Sequence, residues 1–164
     1  MSENIRAARY RNFVFGVEDS LVSTVGLLSG IAIAGIPRTE IFLTGIVLIF
    51  VEAFSMGAGS FLSESSAEEL TTHRRRSSKN PSVNAVVMFF SYFIFGFIPL
   101  FPYFLFTIER AFFISVSASI VTLFILGAVG GKASHINPWR SALRMAVVGG
   151  IAILVGIGVG QLAS

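Results

Sequence analysis

Two acids stand in stretches that otherwise carry almost no charge. Asp19 is followed by an uncharged run over 20–37, and Glu52 is the only charged residue between positions 41 and 63. An ionisable side chain near the bilayer centre costs about 2.5–3.5 kcal/mol on insertion scales, which makes each acid a functional candidate. Glu18 adjoins Asp19 but points about 100° away from it on a helix, so it ranks below the other two. Four residues after Glu52 comes Met56, and continuing by fours gives Ser60, Glu64 and Glu68. Residues four apart share a helix face, and an overshoot of about 40° per step turns the series into a slow spiral of ligand-capable groups. Carboxylate oxygen with thioether sulfur is a mixed donor set: it disfavours Mg²⁺ and Ca²⁺ and fits Fe²⁺, Mn²⁺, Co²⁺ or Zn²⁺. Asp19, Glu52, Met56, Glu64 and Glu68 are therefore the candidate metal ligands, although Met56 taken alone serves equally well as core filler. Asp19 also shares a face with Ser23, Gly26 and Gly30. If two such helices meet about a two-fold axis, two Asp19 and two Glu52 place four acids in one site. Divalent cations or protons can neutralise them, and that competition is the physical basis of metal/proton exchange.

The elements that must carry these groups follow from composition. The chain has 164 residues, 54% of them hydrophobic and 13% charged, against about 25% charged in an ordinary soluble domain. Further uncharged runs cover 80–108, 111–131 and 145–164. A bilayer core requires about 20 mostly apolar residues per helix, and five windows meet that requirement. A soluble enzyme, a nucleic-acid-binding domain and a disordered chain are excluded; no catalytic group or resident cofactor is expected, and any metal would be cargo. With no cysteine, disulfides and thiolate sites are absent. The polar start with Arg6, Arg9 and Arg11 leads into a segment that contains Glu18 and Asp19 and lacks a small-residue cleavage site, so it reads as a retained first span rather than a signal peptide. The expectation is an all-α polytopic membrane protein, one transmembrane domain over 1–164, with helices at 12–35, 39–70, 82–106, 109–131 and 138–162. Gly35-Ile36-Pro37, Asn80-Pro81 and Asn137-Pro138 supply the turn signals between them. Open sheets leave backbone groups unsatisfied in lipid, and the windows are too long for barrel strands.

Basic residues set the expected orientation. Arg6, Arg9, Arg11, Arg74, Arg75, Arg76, Lys79, Lys132, Arg140 and Arg144 fall at one end of the five spans, and Arg38 and Arg110 at the other. Ten against two places the N-terminus in the cytoplasm and the C-terminus outside. The second helix, about 48 Å long at 1.5 Å per residue, exceeds a hydrocarbon core of about 30 Å, so Glu64, Glu68 and Glu69 should project beyond it. Pro99 and Pro102 in the third span each remove an amide donor and favour a kink that can open a cavity. Gly26, Gly30, Gly149, Gly156 and Gly160 favour close helix packing and mark a dimer only weakly. His73 and His135 fall in loops and receive no role.

Arg11-Asn12-Phe13-Val14-Phe15-Gly16-Val17-Glu18-Asp19-Ser20-Leu21-Val22-Ser23-Thr24-Val25-Gly26 resembles the first helix of the vacuolar iron transporters and their nodulin-like relatives. Glu52-Ala53-Phe54-Ser55-Met56-Gly57-Ala58-Gly59-Ser60-Phe61-Leu62-Ser63 resembles their second-helix motif, and the stretch from Gly96 to Tyr103 their third-helix Gly/Pro/Pro/Tyr pattern. The resemblance runs through essentially the whole chain. It implies five spans with a cytoplasmic N-terminus and a homodimer with its pathway between protomers. It also implies export of Fe²⁺ or Mn²⁺ from the cytosol against protons. The membrane would be the plasma (inner) membrane in a prokaryote and an organellar one in a eukaryote. Asp19 matches the family's first-helix pathway Asp, and Met56 its second-helix Met. The chain departs from the pattern at Ser20, where the family has Gly, and at Leu48, where it has a pathway Glu; Glu52 is read as a displaced counterpart of that Glu. The family's Glu- and Met-rich cytoplasmic domain after the second helix is reduced here to the helix extension and a short basic loop. The alternative is a membrane scaffold or small channel that keeps the fold and has lost metal coupling.

Overall fold

The computed structural model describes residues 3–71 and 80–163. They form five helices: α1 Glu3–Ile33, α2 Arg38–Thr71, α3 Pro81–Leu105, α4 Ile108–Ala133 and α5 Pro138–Ala163. Each is long and apolar enough to cross a membrane, so the chain is an all-helical, multi-pass membrane protein. Arg74, Arg75, Arg76, Lys79 and His73 lie outside the described residues.

One boundary departs clearly from expectation. α1 starts at Glu3, not near position 12, because hydropathy marks the part of a helix that lies in lipid, not the helix itself. Arg and Ala are good helix formers, so the polar start simply continues the helix. α1 and α2 have 31 and 34 residues, or roughly 46 and 51 Å, and both overrun the hydrocarbon core.

Local chemistry ends the helices where the turn signals stand. Gly35 adopts φ 76°, and the Ile36 amide donates to the Ile31 carbonyl at 3.2 Å, a Schellman closure that favours glycine at the left-handed position. His135 takes the equivalent place after α4 with φ 56°, its successor's amide donating to the Gly131 carbonyl at 3.0 Å. Asn137 then accepts at Oδ1 from the Trp139 and Arg140 amides at 3.0 and 3.3 Å, which caps α5 with Pro138 in its first turn.

α1 is the centre of the bundle and touches all four other helices; α2 lies chiefly along α3, and α5 along α1 and α4. Of the α1 span 56% is buried, against 17–39% for the others. The outward faces carry exposed Phe54, Phe113 and Leu154. Lipid already solvates such side chains, so helix association depends on close fit rather than apolar burial. Between α1 and α5 that fit is backbone against backbone. A Cβ at Gly30 would lie 2.7 Å from the Gly156 carbonyl oxygen, and one at Gly156 or Gly160 would run into the Gly26 or Gly30 carbonyl. The glycines of α1 and α5 thus serve each other within one chain. In α3 the helix continues through Pro99 and Pro102, and Ser115 of α4 donates to the Pro99 carbonyl at 2.7 Å.

Candidate functional site

The groups singled out in the sequence divide into two sets, both built where α1, α2 and α3 meet. The first set is at mid-helix. Asp19 and Glu52 are half-buried, and Glu52 and Glu18 both lie within electrostatic reach of Asp19. A third helix contributes Tyr92, which is fully buried. Its hydroxyl shares a 2.6 Å hydrogen bond with the Ser23 hydroxyl, and its backbone carbonyl accepts from the Ser20 hydroxyl at 2.6 Å. Both carboxylates also lie within electrostatic reach of that phenol. Two acids and a phenol thus gather midway along three helices that are otherwise largely apolar. Leu48, one turn before Glu52, is half-buried and offers no ligand atom.

The second set lines a cavity of about 660 Å³ toward the end of the bundle where α1 begins. Its wall includes Asn12, Met56, Ser60, Ser63, Glu64 and Met88. Two members of the spiral, Met56 and Glu64, therefore face one space together with Ser60 between them. Glu52 and Glu68, at the two ends of the series, are not on this wall; Glu68 is half-buried. Pro99 and Pro102 do not border the cavity, so the proline pair is not what opens it.

Glu64 is already engaged. The Asn84 amide donates to one carboxylate oxygen at 2.6 Å, the Asn12 amide to the other at 3.1 Å, and Arg11 stands 3.8 Å away. Ser60 donates to the Asn12 side-chain oxygen at 3.2 Å, so α1, α2 and α3 are clasped through one carboxylate. As a metal ligand, Glu64 would have to exchange these donors for a cation.

Among the described residues no three His, Asp or Glu side chains group closely enough to hold a metal ion. One chain offers a carboxylate pair and a mixed O/S cavity, not a complete acidic cage. About one turn beyond Asp19 along α1 begins an apolar groove of about 520 Å³ between α1 and α5, lined by Val22, Ser23, Gly26, Leu27 and Gly30 of α1 and by Gly156 and its neighbours on α5.

Tyr92, Asn12, Asn84 and Met88 did not emerge from the sequence. A tyrosine in a window crowded with phenylalanine gives no distinct signal. Asn12 and Asn84 did have one, since an amide at the edge of an apolar helix requires a partner, but spacing along one helix cannot name a partner on another.

Comparison with known proteins places this arrangement in context. The model of the VIT family matches residues 10–79 and 66–161. A vacuolar iron transporter 1 from Tulipa gesneriana is 22% identical over 205 residues, covering 87% of this chain and 82% of the relative. That alignment is longer than the chain, so the tulip protein holds residues with no counterpart here. A vacuolar iron transporter from Toxoplasma gondii is 34% identical over 110 residues, 62% of this chain and 36% of its own length. A vacuolar iron transporter 1 from Oryza sativa subsp. japonica is 32% identical over 79 residues, 48% of this chain and 31% of its own length.

Proposed function

Because the chain belongs to the VIT family, we propose that it transports divalent transition-metal ions, Fe²⁺ or Mn²⁺, out of the cytosol in exchange for protons. The observation that carries this reading is the half-buried pair Asp19 and Glu52, within electrostatic reach of each other on helices long and apolar enough to cross a membrane. Two acids kept at that depth are costly, and their chemistry is cation and proton exchange. Relatives named as vacuolar iron transporters support metal as the cargo and an organellar membrane as the location.

The working unit in this reading is a homodimer. Within one chain Asp19 and Glu52 are only partly buried, and the groove along Ser23 and Gly26, lined by small and aliphatic side chains, offers a second copy a close-packing surface. Two copies bring two Asp19 and two Glu52 to one axis. The ten-to-two distribution of basic residues supports a cytoplasmic position for the cavity with Met56 and Glu64. A cation enters there, meets the mixed O/S donors, and passes to the acids, which discharge it as they take up protons from the far side.

The test is metal uptake by proteoliposomes with an acidic lumen containing a pH dye, comparing Fe²⁺, Mn²⁺, Co²⁺ and Zn²⁺. Uptake with a rise in internal pH is expected. Uptake without it removes proton exchange, and no uptake of any metal favours a scaffold that keeps the fold alone.

A further inference from the structure

The cavity near the start of α1 contains a second sulfur. The chain has four methionines. Met56 of α2 and Met88 of α3 line this one space, whereas Met145 packs against the Val17, Leu21 and Leu123 cluster. Among the described residues, the core around Leu28, Ile41, Ile49 and Leu100 is built from branched, aromatic and alanine side chains. The cavity is different: among the described residues Asn12, Ser55, Ser60, Ser63 and Glu64 bring amide, hydroxyl and carboxylate groups to the space beside the two thioethers, and Phe15 is the one aromatic ring on its wall. Met88 is 4% exposed yet borders the open volume. Its sulfur comes close to α1 because position 16 is glycine. A Cβ there would stand 3.2 Å from the Met88 sulfur and 2.8 Å from the Ser91 Cβ.

Oxygen donors accept most divalent cations, whereas thioethers favour the softer ones. The wall carries a single carboxylate, Glu64, and Arg11 lies 3.8 Å from it. Little net negative charge remains to hold a cation tightly, so donor softness, rather than charge, ranks the ions. We propose that Met88 is a specificity-determining residue. With Met56 it makes the cavity a transit site for borderline and soft cations, Fe²⁺ among them, in preference to hard ones such as Mn²⁺ and Mg²⁺. The word transit rests on the transport reading above; the cation preference is a binding property, tested without flux.

The probe is Cd²⁺, a soft and redox-inert cation, added to the full chain in nanodiscs with methyl-labelled methionine. The Met56 and Met88 methyl resonances shift with Cd²⁺ and stay in place with Mg²⁺, and the Met145 resonance stays in place with both. In Met88→Leu, which nearly conserves side-chain volume, Cd²⁺ binding weakens by about tenfold while Mn²⁺ binding holds within about twofold. Met145→Leu binds both ions as the native chain does. A Met88 methyl unmoved at saturating Cd²⁺, or equal weakening of both ions in Met88→Leu, overturns the assignment. If Met88→Leu does not fold, the titration of the native chain decides. Vesicles that move no metal while the Met88 methyl responds refute transport and leave this site standing. Metal flux with a silent Met88 refutes the site and leaves transport standing.

Discussion

The three partners of Glu64 differ enough in geometry to be ranked in advance. Its side chain is 10% exposed, and that of Arg11 is 74% exposed at 3.8 Å. Asn84 donates at 2.6 Å, the short distance typical of a charge-assisted bond. Hydrogen bonds to charged groups contribute about 1.5–3 kcal/mol, and removal of a donor leaves a largely buried acceptor one partner short. Asn84→Leu is therefore expected to cost about 2–3 kcal/mol. An ion pair with one partner largely in solvent contributes about 0–1 kcal/mol after screening, so Arg11→Gln is expected to cost less than about 1 kcal/mol. Replacing both Glu64 and Asn84 by Leu removes donor and acceptor together and should cost less than the two single changes added, by about 1–3 kcal/mol. Reversible unfolding in mixed micelles measures this through Trp139, the chain's only tryptophan, whose ring packs edge-on to Phe124 with centroids 5.2 Å apart. Equal costs for Arg11→Gln and Asn84→Leu, or strict additivity in the double variant, would refute the clasp.

Three further outcomes follow from the same geometry. Gly156→Leu should separate α5 from α1 and destabilise the bundle, whereas Gly158→Ala, with nothing within 4 Å of the new Cβ, should be neutral or mildly stabilising; the same unfolding assay compares them. Tyr92→Phe removes the hydroxyl bonded to Ser23 but keeps the backbone carbonyl that Ser20 bonds, so metal flux should fall by up to about tenfold with the fold intact. Because the native chain has no cysteine, a single Leu27→Cys in the α1–α5 groove should form disulfide-linked dimers in membranes, and a single Phe113→Cys on the lipid face of α4 should not.

Much of the fold was legible in where charge is missing, because the bilayer penalises charge over a fixed thickness whatever the helices pack against. The same signal missed the start of α1, since Arg6, Arg9 and Arg11 are excluded from lipid but welcome in a helix. The site was legible only along single helices. Spacing by fours put Met56, Ser60 and Glu64 on one face, and the structure finds all three on one cavity wall. It could not show that Asn12 and Asn84 hold Glu64 from α1 and α3, because that pairing depends on how three helices are placed side by side. Gly26, Gly30, Gly156 and Gly160 were visible as small residues; that they oppose one another across α1 and α5 is tertiary information that no one-helix pattern contains.

In the proposed function Asp19 and Glu52 carry the transported cation and its counter-protons. Proteoliposomes with an acidic lumen, holding the native chain, Asp19→Asn or Glu52→Gln at equal dimer content, test it most directly. The native chain should take up Fe²⁺ or Mn²⁺ as internal pH rises, and either variant should lose more than about tenfold of that flux, equivalent to at least about 1.4 kcal/mol on the barrier. Native rates of metal uptake and proton release in both variants would contradict it.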